Sequence, residues 1–174
     1  DVWYAEVENE FLQLEKSCGV ISVAGSSIGG AMSLKLAELH DLQSLYAVNA
    51  FLYMPHRFYY VFKAETYMKV LAPSLNYIKK TKVARIADPE GLEAHVSYLY
   101  MPIAPMVRSA DFIKKTHEEL NKIDEPVLIL HSTQDPVSAY ENTNLFLNNV
   151  SSEQKERRTY TKSEHVLLRD YDKD

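Results

Sequence analysis

An α/β fold, a mostly parallel sheet with helices on its faces, is what this sequence predicts. Three observations predict it. A short apolar run with β-branched residues, Val20 to Ala24, enters a Gly/Ser-rich turn and then an apolar helical pattern from Ala31 to Leu39. A second apolar strand, Pro126 to His131, runs out into the loop Ser132-Thr133-Gln134-Asp135-Pro136. Elsewhere, strand patterns alternate with helical ones, as they do when parallel strands are joined by crossover helices.

In chain order, a stripe at Trp3, Val7, Phe11 and Leu14 predicts an amphipathic first helix, with Glu6, Glu8, Glu10 and Gln13 elsewhere on it. Val20 to Ala24 is expected to be a buried strand. The turn after it, Gly25-Ser26-Ser27-Ile28-Gly29, fits the G-x-S-x-G pattern. That bend lifts the central hydroxyl to the strand's end, at a helix N-terminus whose N–H groups meet negative charge. A side chain at Gly25 or Gly29 is expected to strike neighbouring backbone, and Gly30 to give the helix room against the sheet. Ser26 is the competing hydroxyl but lies one residue too early, so Ser27 is the candidate nucleophile. Ser44 to Phe51 is the second strand, ending in Asn49-Ala50-Phe51.

The stretch from Met54 to Ile123 is too long for a crossover and reads as helical pieces. Tyr60, Ala64, Tyr67 and Leu71 share one helical face that Pro73 ends. Asp88 as N-cap and Pro89 at the first helical position open a second helix towards Tyr98. Pro102 and Pro105 are expected to break the chain, and Ile113, Leu120 and Ile123 to line a third helix. After the strand at 126–131, Ser138 to Asn148 reads as a helix and Arg158 to Thr161 as a short last strand.

A serine hydroxyl is a poor nucleophile without a base, and the base needs an orienting acid. Asp135 lies on the loop leaving one predicted strand and His165 on the loop leaving the last. Both are therefore expected at the sheet edge that carries Ser27. Three unlike side chains, each just past a strand in the order Ser, Asp, His, are a stronger signal than the pentapeptide alone. His131, at a strand end near Asp135, reads as structural and is the best alternative base.

On Val23-Ala24-Gly25-Ser26-Ser27-Ile28-Gly29-Gly30, on Ile123 with Pro126-Val127-Leu128-Ile129-Leu130-His131 and Asp135, and on Glu164-His165-Val166, the chain resembles the α/β-hydrolases of the carboxylesterase and monoacylglycerol-lipase group. Asp1-Val2-Trp3-Tyr4 is similar to the start of the helix before the nucleophile strand in small bacterial carboxylesterases. The resemblance implies the C-terminal part of an α/β-hydrolase fold, with a core at 1–53 and 124–174 and a helical cap or lid at 54–123. It implies a serine esterase with Ser27 as nucleophile, His165 as general base then acid, Asp135 orienting His165, and the Ile28 backbone N–H as an oxyanion donor. No cofactor or metal is implied.

The sequence departs from the group at Ser26, where a larger apolar residue or His is common, and at Glu164, where Gly is common. The group has strands before the nucleophile strand and an early loop carrying a second oxyanion donor. On that comparison the chain is expected to be a fragment of a longer hydrolase. Its nucleophile strand is then expected at an exposed sheet edge prone to self-association. The alternatives are an impaired fragment used for binding or assembly, or thioesterase, amidase or haloperoxidase chemistry on the same fold.

The cap region is rich in Tyr and Phe and offers Met54, Met68, Met101 and Met106 as adaptable apolar surface. Most of these are expected to be its own core, with some facing an acyl or alcohol pocket. A net charge of −5 with interspersed signs disfavours nucleic acid or anionic membrane as partner, leaving a small-molecule ester. Hydrophobic residues make up 46% of the chain, enough to argue against disorder, and no run is long enough to span a bilayer. The single cysteine, Cys18, forms no internal disulfide and points to a reducing, cytoplasmic setting. His40 ends a helix, where a cation is favourable. His56, His95 and His117 lack metal-ligand spacing. Lys79-Lys80-Thr81-Lys82 and Lys114-Lys115 read as solvated faces, and no phosphate loop or dinucleotide fingerprint occurs.

Overall fold

The computed structural model describes residues 2–52, 66, 69–70, 75–82 and 84–174. Most of the helix expected on Tyr60, Ala64, Tyr67 and Leu71, with Pro73, Met54, Met68 and His56, lies outside them. In chain order the described elements are helix α1 (Val2–Glu15), strand β1 (Ser22–Ser26), α2 (Ile28–Ala37) and β2 (Ser44–Val48). There follow β3 (Tyr77–Lys79), α3 (Pro89–Glu93), β4 (Tyr100–Pro102), α4 (Ile103–Glu118) and a 3₁₀ turn at Leu120–Lys122. The chain continues through β5 (Val127–Ser132), α5 (Asn142–Asn149), β6 (Lys155–Tyr160) and a last 3₁₀ turn at Leu167–Arg169.

β1, β2, β5 and β6 form one four-stranded sheet in that order, every pair parallel, so all C-terminal ends share one edge. The register aligns Ser26 with Val48, Val48 with Leu130, and Ser132 with Tyr160. β3 and β4 pair separately and antiparallel. The core centres on Leu34, Leu45, Ile123 and Phe146, all at 0% exposure. Each such side chain contributes roughly 1.5–3 kcal/mol of burial. Leu120 and Ile123 belong to this core, and Phe112 packs on its margin.

Several local expectations are corrected. α1 buries Tyr4 and Phe11 with Val7 beside them, whereas Trp3 and Leu14 are 46% and 51% exposed. The Tyr4 ring lies 5.6 Å from Phe112, so the helix is turned by one residue towards α4. β1 is not a buried strand: it is an edge strand among the described residues, and Val20, 67% exposed, precedes it. β2 stops at Val48 because Asn49 turns to a positive φ of 41°. Asp88 caps α3 by accepting the Glu90 N–H at 3.1 Å, with Pro89 at the first helical position, but the helix ends at Glu93. Pro102 and Pro105 do not break the chain: the first precedes α4 and the second sits in its first turn, where a proline sacrifices no intrahelical bond. α5 begins at Asn142 rather than Ser138, because residues 135–141 make the loop that holds Asp135. β6 starts earlier than expected, at Lys155.

Where α1, α2 and α4 pack, Glu38 carries a side chain with 0% exposure. Its Oε2 accepts Lys35 Nζ at 2.8 Å, while Oε1 has no partner among the described residues. Lys35 also pairs with Glu119. Burial pushes the Glu38 carboxyl up to about 7, outweighing the attraction of Lys35. An unfolded glutamate titrates at about 4.3. The folded state therefore holds a proton that the unfolded chain releases between these values, and stability falls as pH rises through that window. Glu38→Gln removes the ionisation while Lys35 keeps Glu119. Its melting temperature, measured by calorimetry, is expected to exceed that of the unsubstituted protein by a margin that widens from pH 5 to pH 8. A margin that does not change with pH would contradict this assignment.

Candidate active site

The shared sheet edge is where the chemistry-bearing residues meet. Ser27 follows the last residue of β1 and precedes α2, with φ 56° and ψ −120°. That is a sparsely populated conformation for a residue with a side chain, and it persists only when its surroundings impose it. They do so here. The Ser27 N–H donates to the Val48 carbonyl at 3.0 Å, and its own carbonyl accepts from Phe51 N–H at 3.0 Å and Ala31 N–H at 3.3 Å.

The bend is tight enough that a Cβ on Gly25 would lie 2.2 Å from the Gly29 carbonyl oxygen, which excludes any side chain there. Gly30 meets the β2 exit closely too, where a Cβ would come within 2.6 Å of the Ala50 Cβ. Gly29 differs from expectation: among the described residues nothing lies within 4 Å of a Cβ added there. Ser26 is exposed at the end of β1. Ile28 opens α2, so its backbone N–H belongs to the first turn, whose donors have no intrahelical acceptor.

Asp135 sits three residues beyond β5 with a side chain at 0% exposure. Its Oδ1 accepts the Val137 N–H at 2.7 Å and the Ser138 N–H at 3.0 Å, which aims Oδ2 away from the loop. Oδ2 lies 2.7 Å from His165 Nδ1. His165, past the end of β6, places Nε2 2.7 Å from Ser27 Oγ. Ser27, His165 and Asp135 thus form one unbroken hydrogen-bonded relay from residues far apart in sequence. The imidazole is 12% exposed and the carboxylate not at all, an arrangement that fixes the ring.

His131 is not in that line. It is buried, its Nε2 donates to the Ser138 carbonyl at 3.0 Å, and it lies 3.8 Å from Asp135 Oδ2. Burial pushes its imidazole below the usual range, so it stays neutral and supports the Asp135 loop. His40 Nε2 donates to Glu8 Oε1 at 3.1 Å beyond the end of α2, and Cys18 is exposed.

Two residues that sequence reasoning passed over hold the site. Asn49 is fully buried at the end of β2, where its side-chain amide reaches the main chain of Glu164 and His165. Asp170, also fully buried, accepts from the N–H groups of Ala87, Asp88, Glu164 and Tyr171 at 2.7–2.9 Å. Burial alone would raise its carboxyl, but those donors outweigh burial and hold it below the usual carboxylate range. Asp170 thereby ties the His165 loop to the segment entering α3. Val166 N–H to the Arg85 carbonyl at 3.1 Å and Arg169 Nη1 to the Ala94 carbonyl at 3.1 Å reinforce that tie. Glu164 meets Lys82 at 3.6 Å.

The family model for the serine aminopeptidases S33, the Hydrolase_4 family, matches residues 7–172. The chain belongs to this family. Among its relatives, a thermostable monoacylglycerol lipase from Bacillus sp. (strain H-257) is 30% identical over 98% of this chain and 64% of its own length. A carboxylesterase from Bacillus subtilis (strain 168) is 25% identical over 99% of this chain and 67% of its own. The chain therefore spans about two thirds of the length of these relatives.

A solved structure from work on the metagenome-derived lipolytic enzymes LipS and LipT superposes with a TM-score of 0.83 at 24% identity, covering 98% of this chain and 67% of that one. The monoacylglycerol lipase of Paleococcus ferrophilus superposes with a TM-score of 0.77 at 17% identity, over 97% and 67%. These matches establish the α/β-hydrolase fold that the sequence resemblance implied, present here as a partial fold. No helix among the described residues is long and apolar enough to cross a membrane.

Proposed function

We propose that this S33-family protein is a carboxylic ester hydrolase working through Ser27, His165 and Asp135. The single observation that carries the reading is the continuous relay, 2.7 Å from Ser27 Oγ to His165 Nε2 and 2.7 Å from His165 Nδ1 to Asp135 Oδ2. With Nδ1–H donated to the carboxylate, Nε2 is the lone-pair nitrogen and takes the serine proton as Oγ attacks the ester carbonyl. The tetrahedral oxyanion forms beside the start of α2, where the Ile28 N–H and the positive end of the helix stabilise it. The imidazolium then protonates the departing alcohol, leaving an acyl group on Ser27. Water activated by the same imidazole clears it.

Relatives named monoacylglycerol lipase and carboxylesterase support carboxylic esters over amides as substrates. In this reading the described residues before α4, 75–82 and 84–102, contribute to a cap that bounds a pocket for a short or medium acyl chain. The bonds from Asp170, Val166 and Arg169 to residues 85–94 anchor that cap beside the His165 loop.

An acyl-enzyme route predicts a burst. Rapid mixing with a p-nitrophenyl ester is expected to release nitrophenol in an amount that matches the enzyme, followed by a slower steady rate. Linear release with no methyl ester formed in added methanol would point to a single-step hydrolysis. No release at all would favour a role in binding or assembly.

A further inference from the structure

The four residues that leave β2, Val48 to Phe51, touch the main chain or the loop of every member of the relay. From this we infer that Asn49 is a positioning residue, whose side-chain amide fixes the chain carrying His165 against the chain carrying Ser27. The inference rests on the hydrolase reading above and deepens it.

The Val48 carbonyl and the Phe51 N–H bracket Ser27 from both sides of its peptide unit, each at 3.0 Å. The Ala50 carbonyl accepts Ser138 Oγ at 2.6 Å, and the Ser138 N–H donates to Asp135 Oδ1 at 3.0 Å. Asn49 stands between these grips. Its Nδ2 donates to the His165 carbonyl at 2.7 Å and the Glu164 carbonyl at 3.2 Å. Its Oδ1 accepts the Ser132 N–H at 2.9 Å, at the end of β5. Its own N–H donates to the Leu130 carbonyl at 2.8 Å. One short segment thus carries the nucleophile, the acid loop and the base loop in a common frame.

The backbone says the same. Among the described residues only Ser27 and Asn49 combine a side chain with positive φ, at 56° and 41°. Asn tolerates that conformation better than most residues, and its side chain is 0% exposed. An asparagine that merely ended a strand would need one local partner. This one reaches residues 83 to 116 positions away. The chemistry also selects it. Aspartate keeps the acceptor for Ser132 but offers carbonyls no donor, and glycine offers neither.

The test is steady-state kinetics and proton NMR on Asn49→Asp and Asn49→Gly in the protein. For a folded variant, kcat on a p-nitrophenyl ester is expected to fall roughly 10- to 100-fold, because a displacement of about 1 Å at a reacting group costs that much. KM is expected to stay within about twofold, since the loss concerns the reacting groups and not ground-state binding. The downfield proton resonance of the His165–Asp135 hydrogen bond is expected to shift or broaden. An unchanged kcat, or a fall in activity with that resonance unmoved, overturns the inference. Should Asn49→Asp fail to fold, Asn49→Gly carries the test, because glycine is unstrained at this φ. Failure of the hydrolase reading looks different: the unsubstituted protein turns over no ester, while the resonance still reports whether Asn49 holds His165.

Discussion

Asp135→Asn is expected to fold normally and to lose about four orders of magnitude in kcat. The carboxylate has two distinct jobs, one per oxygen. Oδ1 organises its own loop by accepting the Val137 and Ser138 N–H groups, and an amide oxygen serves there equally well. Oδ2 must accept the His165 Nδ1 proton at 2.7 Å. With the amide oxygen committed to the loop, the NH₂ group faces Nδ1 and donates to it. The ring then carries its proton on Nε2, pointing at Ser27, and has no lone pair left to take the serine proton. The fold survives while the tautomer is wrong. Circular dichroism and melting should match the unsubstituted protein as turnover collapses. Undiminished turnover in a folded Asp135→Asn would reassign the acid.

Ser27→Ala is expected to remove more, about 10⁶-fold in kcat, with residual rate set by binding and by the donors at the start of α2. The substitution deletes one oxygen and leaves the backbone bracket from Val48 and Phe51 intact. The His165–Asp135 bond has no need of the hydroxyl. Substrate affinity is therefore expected to hold while chemistry stops. If Ser26 were the nucleophile, Ser27→Ala would leave substantial turnover and Ser26→Ala would abolish it.

Much of this site was legible from residue type and position. Ser27, Asp135 and His165 bear reactive groups within a few residues of the ends of strands, and parallel strands bring such positions to one edge. What the sequence hid were the residues that hold them. An Asn or Asp just past a strand has the local signature of a turn former, so Asn49 read only as the end of β2 and Asp170 did not stand out at all. Their partners lie up to 116 residues away for Asn49 and 83 for Asp170, where no local pattern reports them.

The fold followed the same divide. The β–turn–α unit around Ser27 and the strand at 127–132 carried their own pattern. β3 and β4 span three residues each, too few for alternation to register. In α1 the adjacent Trp3 and Tyr4 are both apolar enough to begin a stripe, and only contact with Phe112 decides that Tyr4 faces inward. β6, with Lys155, Glu156, Arg157 and Arg158 in succession, reads as surface because it is the sheet's outer strand, so its first half looked like loop.

In the proposed mechanism the Ser27 hydroxyl is the atom that His165 activates. Treating the protein with a fluorophosphonate and sequencing the modified peptide by mass spectrometry tests that directly. The adduct is expected on Ser27, in one copy per chain, and absent from His165→Ala. An adduct on Ser26 or another residue, or labelling of Ser27 that survives loss of His165 at the same rate, would contradict it.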